Sequence, residues 1–330
     1  FLNDLKPSLV IDAAARVGGI GANNSHPVEF LEDNVRIQAN LMHASHNANV
    51  KRFVFLGSSC IYPRDCKQPI KEEYLMTGPL EATNSAYAVA KIAGIELVNS
   101  YRKQYGHNWI SLMPTNLYGP RDNFNLDNSH VLPALIRRFV EAVEAGAREV
   151  MVWGSGSPKR EFLHVDDLAQ AVLLTSQSYD SALHLNIGTG EDLSILELAT
   201  KIAQISGFKG EILWNKSKPD GTPRKVLDVS RIKQLGWSPR VTLDEGIDFR
   251  AIADIMTRAG YKMNHATARN QLMSALQKLL TNIVKQTEIK PDREKIEEMM
   301  NSQEIHSALA DILHRAYMQM EKEKFLMKVF

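Results

Sequence analysis

Short apolar runs of strand length alternate with longer helical patterns from near the start of the chain to about residue 250. Residues 8–14 (SLVIDAA), 52–57 (RFVFLG), 110–114 (ISLMP), 149–153 and 183–187 are the strand candidates. Helical patterns occupy about 27–48, 85–105, 131–145, 165–176 and 195–206. Continuous apolar runs without alternation belong to strands covered on both faces. Strand, helix and strand in succession imply right-handed crossovers and therefore a doubly wound parallel sheet. In such sheets ligands sit beyond the carboxyl ends of the strands. Ser58, Thr115 and Asn116 fall at those ends.

From Phe249 the texture changes: no strand pattern remains, Gly is nearly absent, and Met, Lys, Glu and Gln dominate. Residues 249–330 therefore read as an all-helical appendage, with Pro291 between two helical stretches. One run in it has the outline of a helix-turn-helix presenting Thr267, Arg269, Asn270 and Gln271, the only place where nucleic-acid binding is suggested. A packing or oligomerisation segment is the alternative. The net charge of +1 otherwise argues against charge-driven nucleic-acid binding. Two cysteines, Cys60 and Cys66, make no disulfide framework and point to a reducing, cytoplasmic setting. No apolar run reaches the ~20 residues that span a bilayer. The first residues carry no signal-peptide pattern and read as the middle of a fold. No metal-ligating set stands out.

Tyr87 and Lys91, in SAYAVAKIAG, lie four residues apart and share one helix face. A neighbouring ammonium favours the phenolate, so the spacing predicts a lowered Tyr87 phenol able to protonate a carbonyl oxygen. Alone, the pair is also what any solvated helix face offers. Ser58, Ser59 and Cys60 (GSSCIYP) follow a strand directly and precede that helix. Strand, serine, then Tyr-x-x-x-Lys is a far more specific order. These residues by themselves reach a carbonyl reductase or epimerase.

GSSCIYP, PTNLYGPRDNF, NSHVLPALIRRF, MVWGSG, REFLHVDDLA, NIGTG and SKPDGTPRK occur in an order that resembles the GDP-L-fucose synthases, of the extended short-chain dehydrogenase/reductase type. The resemblance runs over residues 6–247, about three quarters of the chain. It implies a Rossmann-like sheet, NADP(H) as coenzyme, a GDP-sugar substrate and a homodimer paired through helices around 30–48 and 85–105. It also implies two epimerisations and a reduction of GDP-4-keto-6-deoxy-D-mannose. By the same resemblance Ser58, Tyr87 and Lys91 form the reductase triad, and Cys60 and His130 the epimerisation acid/base pair. Read alone, Cys60 is a small core residue and His130 a helix-start residue. Leu56, Gly57, Ser58, Ser59, Pro114, Thr115, Asn116 and Leu117 would line the coenzyme, with Lys91 on its ribose and His130 nearby. Arg138, Trp153, Arg160 and Asp220 would face the substrate, arginine suiting a diphosphate by its planar fork. Cys66, Met113, His164 and the remaining histidines read as structural.

Such enzymes open with a strand, a GxxGxxG turn and a helix. Gly18, Gly19 and Gly21 (RVGGIG) follow a later strand and match the family's downstream VGGI segment instead. The expected organisation is therefore a coenzyme domain at 1–148 lacking its first βαβ unit, an interleaved substrate domain at 149–248, and the appendage at 249–330. The competing expectations are another nucleotide-sugar epimerase/reductase, or a catalytically silent nucleotide-sugar-binding or DNA-binding fusion.

Overall fold

The computed structural model describes residues 1–119, 122–126 and 128–247. In chain order they form α1 (Leu2–Leu5), β1 (Leu9–Asp12), α2 (Ile20–Ser25), α3 (Pro27–Asn47), β2 (Arg52–Leu56), α4 (Ser85–Tyr105), β3 (Ile110–Pro114) and β4 (Asn116–Tyr118). There follow α5 (Val131–Glu144), β5 (Glu149–Trp153), β6 (Lys159–Arg160), β7 (Phe162–His164), α6 (Val165–Ser178), β8 (Leu185–Ile187) and β9 (Leu193–Ser194). The last described elements are α7 (Ile195–Ser206), β10 (Glu211–Asn215), β11 (Arg224–Lys225), α8 (Ser230–Gln234) and α9 (Leu243–Gly246). The helical appendage and its helix-turn-helix outline lie outside the described residues.

Four strands form a parallel sheet in the order β1-β2-β3-β8. Side chains alternate across β2. On one face Phe55 meets α4 so closely that a Cβ on Gly94 would collide with its ring. On the other face Arg52 reaches α6, donating to the Thr175 carbonyl at 2.8 Å. Helices therefore cover both faces, as the unalternated apolar runs require. Phe53, Phe55, Ile110, Leu112 and Trp109 are fully buried in this core.

Local chemistry sets the element ends. Pro27 opens α3, where its missing N–H costs nothing. Ser194 and Glu197 form a reciprocal capping box on α7. Gly106 ends α4 at φ 69, a conformation glycine adopts without strain. The strand expected over 183–187 begins only at Leu185, because Leu183 is drawn into a turn: its N–H goes to Ser181 and its carbonyl takes the Tyr179 hydroxyl.

Beyond residue 148 the chain supplies β8 to this sheet but also the separate parallel pair β5 and β10. β11 and β9 flank β6, and β4 pairs with β7. Glu161, fully buried, ties these parts together. It accepts from the N–H groups of Gly190 at 2.7 Å and Leu227 at 2.8 Å. A Cβ on Gly188 would collide with its carboxylate, so the glycine of NIGTG is needed for this buried acceptor. Among the described residues no helix is long and apolar enough to cross a membrane.

Candidate active site

A cleft of about 980 Å³ opens at the carboxyl ends of β2 and β3, and every catalytic, coenzyme and substrate candidate named above lines it. Gly57 closes β2 where a Cβ would press into the Met113 side chain, so the chain turns there against β3. The next residue, Ser58, caps a single turn over Ser59–Ile61, its hydroxyl accepting from the Cys60 N–H at 3.2 Å. That turn puts Ser58 and Cys60 on the same wall of the cleft. α4 brings Tyr87 (9% exposed) and Lys91 (3%) to it from the neighbouring side.

Lys91 does not sit against the phenol. Its ammonium donates to the Leu56 carbonyl at 2.9 Å and lies 4.8 Å from the centre of the Phe55 ring, against 6.0 Å for Tyr87. The expectation of a lowered phenol is therefore corrected. Burial, and then negative charge on Cys60, push the Tyr87 phenol well above its ordinary range, against a hydrogen bond from Ser58. Tyr87 is held protonated, which is the state a proton donor needs. Burial brings Lys91 down to about 8, opposed by the charge of Asp12.

Asp12, at the end of β1, is 1% exposed. One carboxylate oxygen accepts from the Ala14 N–H at 3.2 Å; the other has no hydrogen-bond partner. Burial raises this carboxyl, more than Lys91 and Ala14 lower it. The unfolded chain thus ionises first as pH rises from about 4, and stability falls through the window up to the raised folded value. Asp12→Asn keeps the acceptor and removes the ionisation. Thermal melts should show the variant gaining on the parent as pH rises above about 4; parallel melting curves would rule the effect out.

Cys60 is half-buried. Burial raises its thiol, but the Lys225 ammonium, the Ser58 hydroxyl and Arg160 outweigh that and bring it below its ordinary value. His130 is the N-cap residue of α5, facing the cleft. Lost solvation there, and then the Lys225 charge, hold its imidazole down. The loop that carries it is brought in by Gly19, whose added Cβ would stand 2.6 Å from the Ser129 carbonyl.

At the opposite end Trp153 is half-exposed, with the Arg138 guanidinium 5.4 Å and the Lys218 ammonium 5.0 Å from its ring centre. Arg138 also donates to the Met151 carbonyl at 2.8 Å. Arg160 reaches the backbone carbonyl of Asp220 at 3.2 Å. The Asp220 carboxylate is itself engaged by Ser155, accepting from its N–H at 2.7 Å and its hydroxyl at 2.8 Å. Lys218 and Lys225, both in SKPDGTPRK, carry no sequence signal of this placement, since a lysine in a turn or a two-residue strand has no periodicity to read. Asn84 and Ser129 also line the cleft, each with a buried oxygen that has no partner.

The inner wall suits the nicotinamide–ribose end of a dinucleotide. The buried Lys91 ammonium spends one hydrogen bond on Leu56 and has further N–H groups to give, beside the apolar Pro114 and Leu117. A parallel sheet with helices on both faces, a glycine-rich loop after β8, and a serine at a strand end facing a Tyr–Lys pair on the next helix define a nucleotide-cofactor enzyme of the short-chain type. The chain belongs to the NAD dependent epimerase/dehydratase family, whose profile matches residues 1–188. It is 54% identical over 247 residues to GDP-L-fucose synthase 1 of Arabidopsis thaliana, covering 75% of this chain and 76% of that one. It is 52% identical over 244 residues to GDP-L-fucose synthase of Escherichia coli (strain K12), covering 71% and 76%. The crystal structure of a GDP-L-fucose synthetase from Naegleria fowleri bound to NADP matches with a TM-score of 0.68 at 31% identity, over 78% of each chain.

Proposed function

We propose that the chain is an NADP-dependent nucleotide-sugar epimerase/reductase that converts GDP-4-keto-6-deoxy-D-mannose to GDP-L-fucose. The observation that carries this is the meeting in one cleft of Ser58, Tyr87 and Lys91 with Cys60 and His130, in a chain 54% identical over 247 residues to a GDP-L-fucose synthase. The ketone at C4 acidifies the hydrogens at C3 and C5. At each centre Cys60 takes a proton from one face, leaving an enolate whose C4 oxygen Ser58 and Tyr87 hold by hydrogen bonds. His130, when protonated, returns a proton on the opposite face. Leu56–Ser59 and Pro114–Leu117 would hold NADPH, which when bound would supply the hydride for C4. Tyr87 then gives its proton to the C4 oxygen, and Lys91 holds the ribose. Arg138 and Arg160 take the diphosphate, with Trp153 and Asp220 on the nucleotide side.

The proposed organisation keeps coenzyme contacts mainly within 1–148, substrate contacts mainly within 149–248, and 249–330 apart. We propose a homodimer through α3 and α4, which expose Val28, Leu31 and Val89. A cytoplasmic setting is supported by two free cysteines. Nucleic-acid binding by 249–330 rests on the sequence pattern alone and forms no part of this function.

Incubated with GDP-4-keto-6-deoxy-D-mannose in heavy water, the purified chain should incorporate deuterium at C3 and C5, and NADPH absorbance should fall as GDP-L-fucose appears. The absence of both deuterium uptake and coenzyme oxidation would sink the proposal.

A further inference from the structure

Lys225 follows Cys60 by 165 positions, yet its ammonium lies 3.4 Å from the Cys60 sulfur. The residue is only 8% exposed, and among the described residues it forms no ion pair with a carboxylate. Parallel pairing of β11 with β6 sets Lys225 directly beside Arg160, so two cations face the thiol from these strands. From its own turn and from α4, Cys60 is faced by the Ser58 hydroxyl and the Tyr87 phenol. The nearby carboxylate, Glu81, lines the same small recess as Cys60 and Lys225 but is paired with Arg64 at 3.4 Å. The field at the sulfur is therefore positive. A thiol beside an unpaired ammonium in a partly closed cleft is the setting in which cysteine becomes reactive.

We infer that Lys225 is a positioning residue for epimerisation: its ammonium holds Cys60 as the thiolate that faces the sugar. The catalytic consequence rests on the function proposed above, whereas the Lys225–Cys60 coupling does not. Without that cation, only the Ser58 hydroxyl and Arg160 oppose burial at Cys60, and the thiolate fraction near neutrality falls. His130, which also feels Lys225, changes with it.

Alkylation by iodoacetamide reads the thiolate directly, with no substrate present. Peptide masses separate Cys60 from Cys66, on which Lys225 acts least among the groups around it. In Lys225→Met the Cys60 rate near pH 7 should fall about tenfold, the equivalent of one pH unit of displacement. Lys225→Arg should restore most of it, and Cys66 should change little in either variant. Lys225→Gln carries the same expectation and takes the place of Lys225→Met if that protein loses its helical circular dichroism. An unchanged Cys60 profile in a folded neutral variant overturns the inference, as does a loss in Lys225→Arg as large as in Lys225→Met. Such a result leaves the proposed function standing, since deuterium uptake is measured separately; failed uptake likewise leaves the coupling standing.

Discussion

Tyr87→Phe should lower NADPH oxidation by about 10²–10⁴-fold while deuterium from heavy water still enters C3 and C5 of the keto sugar. Both halves follow from where the phenol sits. Burial and the neighbouring Cys60 charge keep it protonated, so the proton that the C4 oxygen requires is on hand. Phe fills the same space, packs against Phe30 as the tyrosine ring does, and brings no proton. Enolisation needs a base at C3 or C5 and a donor at the oxygen. Ser58 remains as donor, so exchange slows without stopping. Coenzyme oxidation at the parental rate in a folded Tyr87→Phe protein would remove Tyr87 from the role.

Cys60→Ser and His130→Asn should show the opposite pattern, with deuterium uptake down by about 10²–10⁴-fold and a keto sugar already inverted at C3 and C5 still reduced. Serine keeps the size of cysteine but has no thiolate to offer near neutrality. Asparagine can still hydrogen-bond at the start of α5 but cannot carry a proton across. The pH dependence of uptake in the parent has a definite sign. Cys60 must be deprotonated and His130 protonated, and both groups sit below their ordinary values. The profile should be a bell peaking between the two and displaced to the acid side of what free cysteine and imidazole give. Unchanged uptake in both variants would mean that the proton is handled by other groups.

Much of this site was legible in the chain. The spacing of Tyr87 and Lys91 places them on α4, and GSSCIYP after an apolar run places Ser58 at a strand end; each needs only its neighbours to be read. The short strands β4, β6, β7, β9 and β11 were not legible, because two or three residues carry no period. Asp220 shows the limit at a single residue. The resemblance puts it against the substrate, and its carboxylate is also held by the 154–157 turn through Ser155.

By itself the sequence determined the parallel sheet covered on both faces, the order of its strand-end residues and the helix face bearing Tyr87 and Lys91. The helix face follows from i, i+4 geometry, which backbone stereochemistry imposes wherever the segment lies, and the covered sheet from apolar runs without alternation set between helical patterns. The tertiary structure alone decided that Tyr87 is held up rather than down, that Asp12 is buried with an unpartnered oxygen, and that Lys225 stands against Cys60. Protonation follows from lost water and from charges a few ångströms away, and those neighbours come from parts of the chain that only folding brings together.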